Sequence, residues 1–189
     1  MSKPAALVDF VQVTDLSLSR EFCAQLISSF HALSRFHRDN GREVRAGLEL
    51  SRWSELDMTP FCDLAFRAQL IGRMHEHLRA YCERVQLTIP VPPTDRLSEL
   101  IIKRYQAGGD DQFQAHFDSI GSVANRYMVF LWYLNDVAEG GETRFVDLDY
   151  SVSARTGRLL MFPPYWMYQH EGRPPLSNDK YILSTYLLF

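Results

Sequence analysis

A chain of 189 residues with 46% hydrophobic and 13% aromatic content can bury one core without disulfide or metal staples, so residues 1–189 are expected to form a single domain. Its 20 basic and 23 acidic residues, net charge −3, are spread along the chain, and without a basic stripe nucleic acid is not indicated as a partner. Cys23, Cys62 and Cys82 form no CxxC and leave an odd thiol, and there is neither a leader-like start nor a run of about 18 apolar residues; together these predict a soluble, cytoplasmic protein with no membrane partner.

The first half reads as helical, over about residues 1–89. In "SREFCAQLISSFHALSRFHR" the apolar residues Phe22, Leu26, Phe30 and Leu33 recur at helical spacing, with Ser19 as the N-cap and Glu21 in the first turn. Residues 37–58 show no clean period and read as a loop region, with one candidate strand at 44–50. A longer helix follows, its stripe running through Phe61, Leu64, Ala68, Ile71, Met74, Leu78, Cys82 and Val85. Pro90, Pro92 and Pro93 then bar any continuation of helix.

From Leu100 the texture changes to short β-type runs, "LIIKRY", "YMVFLWYLN", "GETRFVD", "GRLLMF" and "KYILSTYLLF", separated by Gly, Pro, Asn and Asp. Helices followed by strands predict an α+β fold in which helices buttress one face of a rolled antiparallel sheet, with a jelly-roll-like core over about residues 97–189. Trp132, Tyr133, Trp166 and Tyr168 read as core and pocket wall, and Leu131, Leu159 and Met161 as the apolar barrel wall. Arg144 and Arg158 flank apolar strands and could face either substrate or solvent.

"HFD" places His116 and Asp118 two apart, so on a strand they leave the same face with roughly 6.6 Å between Cα atoms and can converge on one ion. The bland alternative is a polar bend. His31, His37, His75 and His77 lie in the helical half, and the "HEH" pair reads as a partly exposed helix pair pointing to different sides. His170, after a Pro-rich bend, is the histidine of the strand half. Two imidazoles and one carboxylate leave three adjacent positions open on an octahedral ion, the facial set of non-haem Fe(II) oxygenases; zinc prefers a more closed tetrahedral set. Lys180, opening the last strand, is a candidate counter-charge for an acidic cosubstrate; otherwise it is a surface residue on an edge strand.

"HFD", "YLNDVAEGGETRF" and "GRLLMFPPYWMYQHEGRPPLSNDKYILSTY" resemble the Fe(II)- and 2-oxoglutarate-dependent dioxygenases of the prolyl 4-hydroxylase type, over roughly residues 100–189, with a weaker echo in "LSLSREFCAQLI". That family's pattern is His-x-Asp, a distal His and a Lys ten positions on, the separation of His170 and Lys180. The resemblance implies a double-stranded β-helix (jelly-roll) core in which His116, Asp118 and His170 hold Fe(II), Lys180 pairs with the distal carboxylate of 2-oxoglutarate, and Tyr133 adds a hydroxyl to that carboxylate. Tyr105 and Thr143 are further candidates for this pocket, O₂ is the second cosubstrate, and ascorbate is a candidate reductant. Tyr105 lies eleven residues before His116, where the family commonly has nine or ten, and Phe113 stands where many members carry Tyr.

What the resemblance implies about activity is hydroxylation of an unactivated C–H bond, coupled to conversion of 2-oxoglutarate into succinate and CO₂. A prolyl residue of a protein or peptide is the favoured substrate, with residues 37–58 and 147–156 as candidate lid or binding loops. The alternatives are a free amino acid or other small metabolite, and a catalytically silent metal-binding sensor or interaction module. Oligomeric state is not addressed by the sequence.

Overall fold

A computed structural model describes residues 6–189 apart from positions 45 and 94. The elements are β1 (Gln12–Thr14), α1 (Arg20–Ala32), β2 (Arg38–Gly41), β3 (Arg52–Asp57), α2 (Leu64–Val85), β4 (Ile101–Tyr105), β5 (Phe113–His116), β6 (Arg126–Tyr133), β7 (Thr143–Phe145), β8 (Tyr150–Val152), β9 (Leu159–Phe162), β10 (His170–Gly172) and β11 (Lys180–Leu188), with short 3-10 turns between several of them. Seven strands form one sheet in the order β1-β9-β6-β11-β4-β3-β2, and four form a second, β5-β10-β7-β8. Every pairing is antiparallel. The two sheets and two helices make the expected α+β jelly roll.

Side-chain parity explains why the long strands read as continuous apolar runs. On β6, Met128, Phe130 and Trp132 join Leu26, Phe30, Met74 and Leu78 of the helices in one cluster, while Val129, Leu131 and Tyr133 join Leu160, Phe162 and Ile182 in another, on the opposite face of the same sheet. Both faces are covered, so neither carries the polar alternation of a half-exposed strand. The same parity corrects one expectation. Leu159 and Met161 belong to the helix-side cluster, and of the three residues assigned to the barrel wall only Leu131 faces the other way.

Local chemistry fixes the helices. Ser19 accepts from the Phe22 N–H at 3.1 Å and Asp63 from the Phe66 N–H at 2.7 Å, each satisfying a donor that the first turn leaves open. α1 buries Cys23, Leu26 and Phe30, as its spacing predicts. α2 buries a face displaced from the predicted stripe: Leu70, Met74, His77, Leu78, Tyr81 and Val85. Leu64 is 85% exposed and Phe61 lies in a 3-10 turn ahead of the helix. Counting only apolar residues drew the stripe through Leu64 and Ala68 because the true face uses a His and a Tyr.

His77 is accordingly a buried tie and not half of an exposed pair. Its Nε2 lies 2.8 Å from Ser17 Oγ, which also accepts from Trp132 Nε1 at 3.0 Å. The Ser17 hydroxyl thus bonds both groups, and burial lowers the proton affinity of His77. Trp166 also departs from expectation: it is 67% exposed, whereas Trp132, Tyr133 and Tyr168 are buried. Arg158 donates to both oxygens of Asp15, at 2.6 and 3.2 Å, which makes it a structural clasp; Arg144 is half-exposed and pairs with Glu171 at 3.5 Å.

Residues 37–58 contain two strands, β2 and β3, instead of one at 44–50. Gly41, Glu43 and Gly47 all have positive φ, so the intervening chain turns where an extended strand would need negative φ throughout. A Cβ at Gly41 would stand 2.2 Å from the Ser51 carbonyl oxygen, so the turn admits only glycine there. Among the described residues, no helix is long and apolar enough to cross a membrane. All three cysteines are free thiols.

Candidate metal centre

β5 and β10 are neighbours in the four-stranded sheet, and their register sets His116 opposite His170. Each imidazole is fixed in the same way. His116 Nδ1 lies 2.7 Å from the Gln114 carbonyl oxygen and His170 Nδ1 lies 3.0 Å from that of Tyr168, in both cases the carbonyl two residues earlier. Nδ1–H must donate in these bonds, which leaves each Nε2 as a lone pair. Phe113 stacks on His116 with ring centroids 3.6 Å apart and planes within 11°, and Trp53 stacks on Phe113 in turn.

Asp118 follows β5 in a bend. Its N–H donates to the Pro164 carbonyl, and Arg126 donates to its own carbonyl at 3.0 Å. The carboxylate reaches both imidazoles, with Oδ1 3.5 Å from His116 Nε2 and Oδ2 3.5 Å from His170 Nε2. One ligand atom from each of the three residues lies within 4.8 Å of the others, and the described residues contain no second cluster of this kind.

The electrostatics suit a cation. Burial alone would push the Asp118 carboxyl up, but His170, His116 and Arg126 outweigh it and hold the group ionised, well below the usual carboxylate range. His170 is lowered to about 4, first by burial and then by His116, against the opposing effect of Asp118. Two imidazoles and one carboxylate converging on one point are the donor set that a divalent first-row metal takes in a facial arrangement.

Beside the three donors is a cavity lined by Tyr105, Leu131, Thr143, Lys180, Ile182 and Tyr186, among others. Lys180 is 2% exposed; its Nζ donates to the Gly141 carbonyl at 3.1 Å and lies 4.4 Å from the centre of the Tyr105 ring. Among the described residues no carboxylate lies within ion-pair distance of it, and burial lowers it to about 7 despite the opposing effect of Glu142. Gly172 also lines this cavity, next to Nζ. Thr143 is buried and accepts from the Tyr133 hydroxyl at 2.6 Å. Tyr133, whose hydroxyl also lies 3.3 Å from the Val152 carbonyl oxygen, therefore stands behind Thr143, not on the cavity surface. Tyr105 lies opposite Lys180 in the β4–β11 register.

Lys103, Ser184 and Tyr186 also line this cavity, and none was singled out from sequence. The available signal was parity: Lys180, Ile182, Ser184 and Tyr186 alternate along β11 and share one face.

Residues 100–188 match the model of the 2OG-Fe(II) oxygenase superfamily. Over these residues the chain is similar to a 2OG-Fe(II) oxygenase domain. Members of this superfamily use Fe(II), 2-oxoglutarate and O₂, and the His-Asp-His cluster of the domain fits the iron. Likeness of fold to solved structures extends over the helical half too. A viral collagen prolyl hydroxylase from Paramecium Bursaria Chlorella virus-1, in its 2OG complex, is 19% identical, with 94% of each chain covered and a TM-score of 0.62. A Pseudomonas putida prolyl-4-hydroxylase is 16% identical, covering 95% of this chain and 92% of that one, with a TM-score of 0.68. A Trichoplax adhaerens prolyl hydroxylase, in complex with a hypoxia inducible factor oxygen degradation domain peptide fragment, is 13% identical, covering 95% and 84%, with a TM-score of 0.70. No curated protein matches the sequence. The domain is that of a dioxygenase.

Proposed function

We propose that this dioxygenase hydroxylates a prolyl residue in a protein or peptide, with His116, Asp118 and His170 as the iron ligands. The observation that carries the reading is the pair of Nε2 atoms and the Asp118 carboxylate converging on one point, beside a buried lysine with no carboxylate partner among the described residues. With 2-oxoglutarate and O₂, Fe(II) at this point supplies the oxidising power to place a hydroxyl on an unactivated carbon.

The chain's own residues do the rest. Lys180 receives the distal carboxylate of 2-oxoglutarate as an ammonium point charge, and Thr143, held by Tyr133, donates a hydroxyl to the same group. Tyr105 forms the wall against which the Lys180 side chain lies. Leu131, Val129 and Ile182 line the cavity with apolar surface that keeps water from the reacting centre.

A peptide substrate is favoured by what surrounds the mouth. His170 is in register with both His116 and Phe145, so the segments after β5, before β10 and after β7 all leave from the metal-bearing end of the small sheet. Each carries an exposed large apolar residue: Ile120 at 58%, Trp166 at 67% and Val146 at 36%. The segments are tied together by hydrogen bonds from the Asp118 and Ser119 N–H groups to the Pro164 carbonyl and from the Val146 N–H to the Gln169 carbonyl. Such a rim offers contact area along an extended chain, more than a small metabolite would use. The unpaired thiols suit a reducing compartment such as the cytoplasm.

The test is incubation with Fe(II), 2-oxoglutarate and a pool of proline-containing peptides, read by mass spectrometry. A mass gain of one oxygen on proline, accompanied by succinate and absent with His116→Ala, is expected. Turnover confined to free amino acids or other metabolites would overturn the peptide reading.

A further inference from the structure

Two lysines line the cavity beside the metal centre, and the site described above uses one of them. Lys103 stands on β4 two residues before Tyr105, so both leave the same face of the large sheet. The β4–β11 register sets Tyr105 opposite Lys180 and Lys103 opposite Ile182, which makes the two lysines diagonal neighbours on adjacent strands. Burial distinguishes them. Lys180 is 2% exposed, at the cavity floor, whereas Lys103 is half-buried, with its Nζ 5.3 Å from the centres of both the Trp53 and the Phe113 rings. Phe113 in turn stacks on His116 at 3.6 Å, so one ring separates the Lys103 ammonium from a residue of the metal centre. Its charge is felt across the cavity, where it opposes protonation of both His170 and Lys180.

The neighbouring charges have other tasks. Glu55 lies opposite Lys103 in the β3–β4 register, but its two oxygens accept from Asn40 and from Trp53 Nε1, each at 2.7 Å. Arg126 donates to the Asp118 carbonyl and covers the ring of Tyr186, whose hydroxyl donates to the Asp118 carboxylate. Besides imidazoles and phenols, the ionisable side chains lining the cavity are Lys103, Lys180 and Asp118. Fe(II) brings two positive charges and 2-oxoglutarate two negative ones, so the loaded cavity keeps a positive charge in excess. That charge lies on its solvent side, at Lys103. We propose that Lys103 is a specificity-determining residue that takes the carboxylate of an aspartate or glutamate close to the target proline. The cosubstrate is the poorer candidate, since Lys180 takes its distal carboxylate and the metal its keto-acid end. The short steps from His116 to Phe113 and on to Lys103 set the reach: at about 3.3 Å per residue of extended chain, the acidic residue belongs roughly one or two positions from the proline. This inference rests on the peptide reading of the site.

The test is binding, read by fluorescence anisotropy of labelled peptides on the full chain with Mn(II) and 2-oxoglutarate. The peptides share one proline and differ at a single position, one or two residues before or after it, which holds Glu, Gln or Lys. At one of these positions the Glu peptide is expected to bind tightest and the Lys peptide weakest. Glu and Gln should differ on the order of 10-fold, as for a charge-assisted hydrogen bond gained or lost. Lys103→Met should erase the difference, and Lys103→Glu should reverse the order. Equal affinities at every position in wild type, or a preference for Glu that survives in Lys103→Met, overturns the assignment. So does a Lys103→Met variant that loses as much affinity for 2-oxoglutarate as for the Glu peptide, because the charge then serves the cosubstrate. Failure of wild type to bind any of the peptides overturns the peptide reading itself, and this inference with it. Should Lys103→Met not fold, Lys103→Gln, which keeps most of the side-chain length without the charge, decides in its place.

Discussion

Lys180 is a cation where burial disfavours one, and that makes its role measurable. Replacing it with Met removes a charge-assisted hydrogen bond worth about 2 kcal/mol, so the KM for 2-oxoglutarate should rise roughly 30-fold while kcat at saturation changes little. An unchanged KM would refute the anchor. The pH dependence follows from the same residue. Burial lowers Lys180 to about 7, so in the free protein it keeps its proton below that pH and loses it above. Binding a carboxylate needs the protonated form, so the KM for 2-oxoglutarate should be flat below pH 7 and rise above it, by up to about tenfold per pH unit. Lys180→Arg, which stays charged, should flatten that rise; a KM that falls with pH above 7 would contradict the assignment. At this scale the sequence was informative where spacing carried the signal: His116, Asp118 and His170 do come together, and Lys180 lines the cavity beside them. That Tyr133 stands behind Thr143 was not legible, because which hydroxyl faces the cavity depends on a hydrogen bond between residues ten apart. Tyr186 was missed because its partner is Asp118, 68 residues away.

Elements set the mouth of the site. The rim of Ile120, Val146 and Trp166 exists because β5, β10 and β7 share a register at the metal end, and each hands its chain to a short turn there. Trp166→Ala should raise the KM for a peptide substrate roughly 30-fold, as expected for loss of about 2 kcal/mol of aromatic burial, without altering 2-oxoglutarate consumption in the absence of peptide. Equal loss of both activities would point to a folding defect and against a binding rim. From sequence, Trp166 read as core because an aromatic among prolines and tyrosines resembles a packed bend; its exposure is decided by the turn at Trp166–Tyr168, which buries Tyr168 instead. β2 and β3 were likewise unreadable, since the positive φ of Glu43 has no marker in composition. The strands of the barrel were plain because two buried faces demand long apolar runs.

For the whole molecule, the helical layer and the barrel depend on one another through a few buried polar contacts as well as the apolar seam. Ser17 serves Trp132 of the large sheet and His77 of α2 together. Ser17→Ala would leave two buried polar groups without partners, at a cost of about 2 kcal/mol, and should lower the melting temperature by roughly 4–8 °C in a chain of this size. An unchanged melting temperature would show that water replaces the hydroxyl at no cost. The overall plan, helices on one face of a rolled sheet, was legible because both long helical patterns precede the apolar strand runs, although β1, β2 and β3 of the first half also join the large sheet. The helix-to-sheet tie was not, because a histidine on a helix reads as polar until its partner is known. The central claim is that this fold holds iron, 2-oxoglutarate and a peptide so that one molecule of O₂ is divided between two products. Turnover under isotope-labelled O₂ tests it most directly: the account predicts one labelled oxygen in succinate and one in hydroxylated proline, and succinate without label, or a product that takes its oxygen from water, would contradict it.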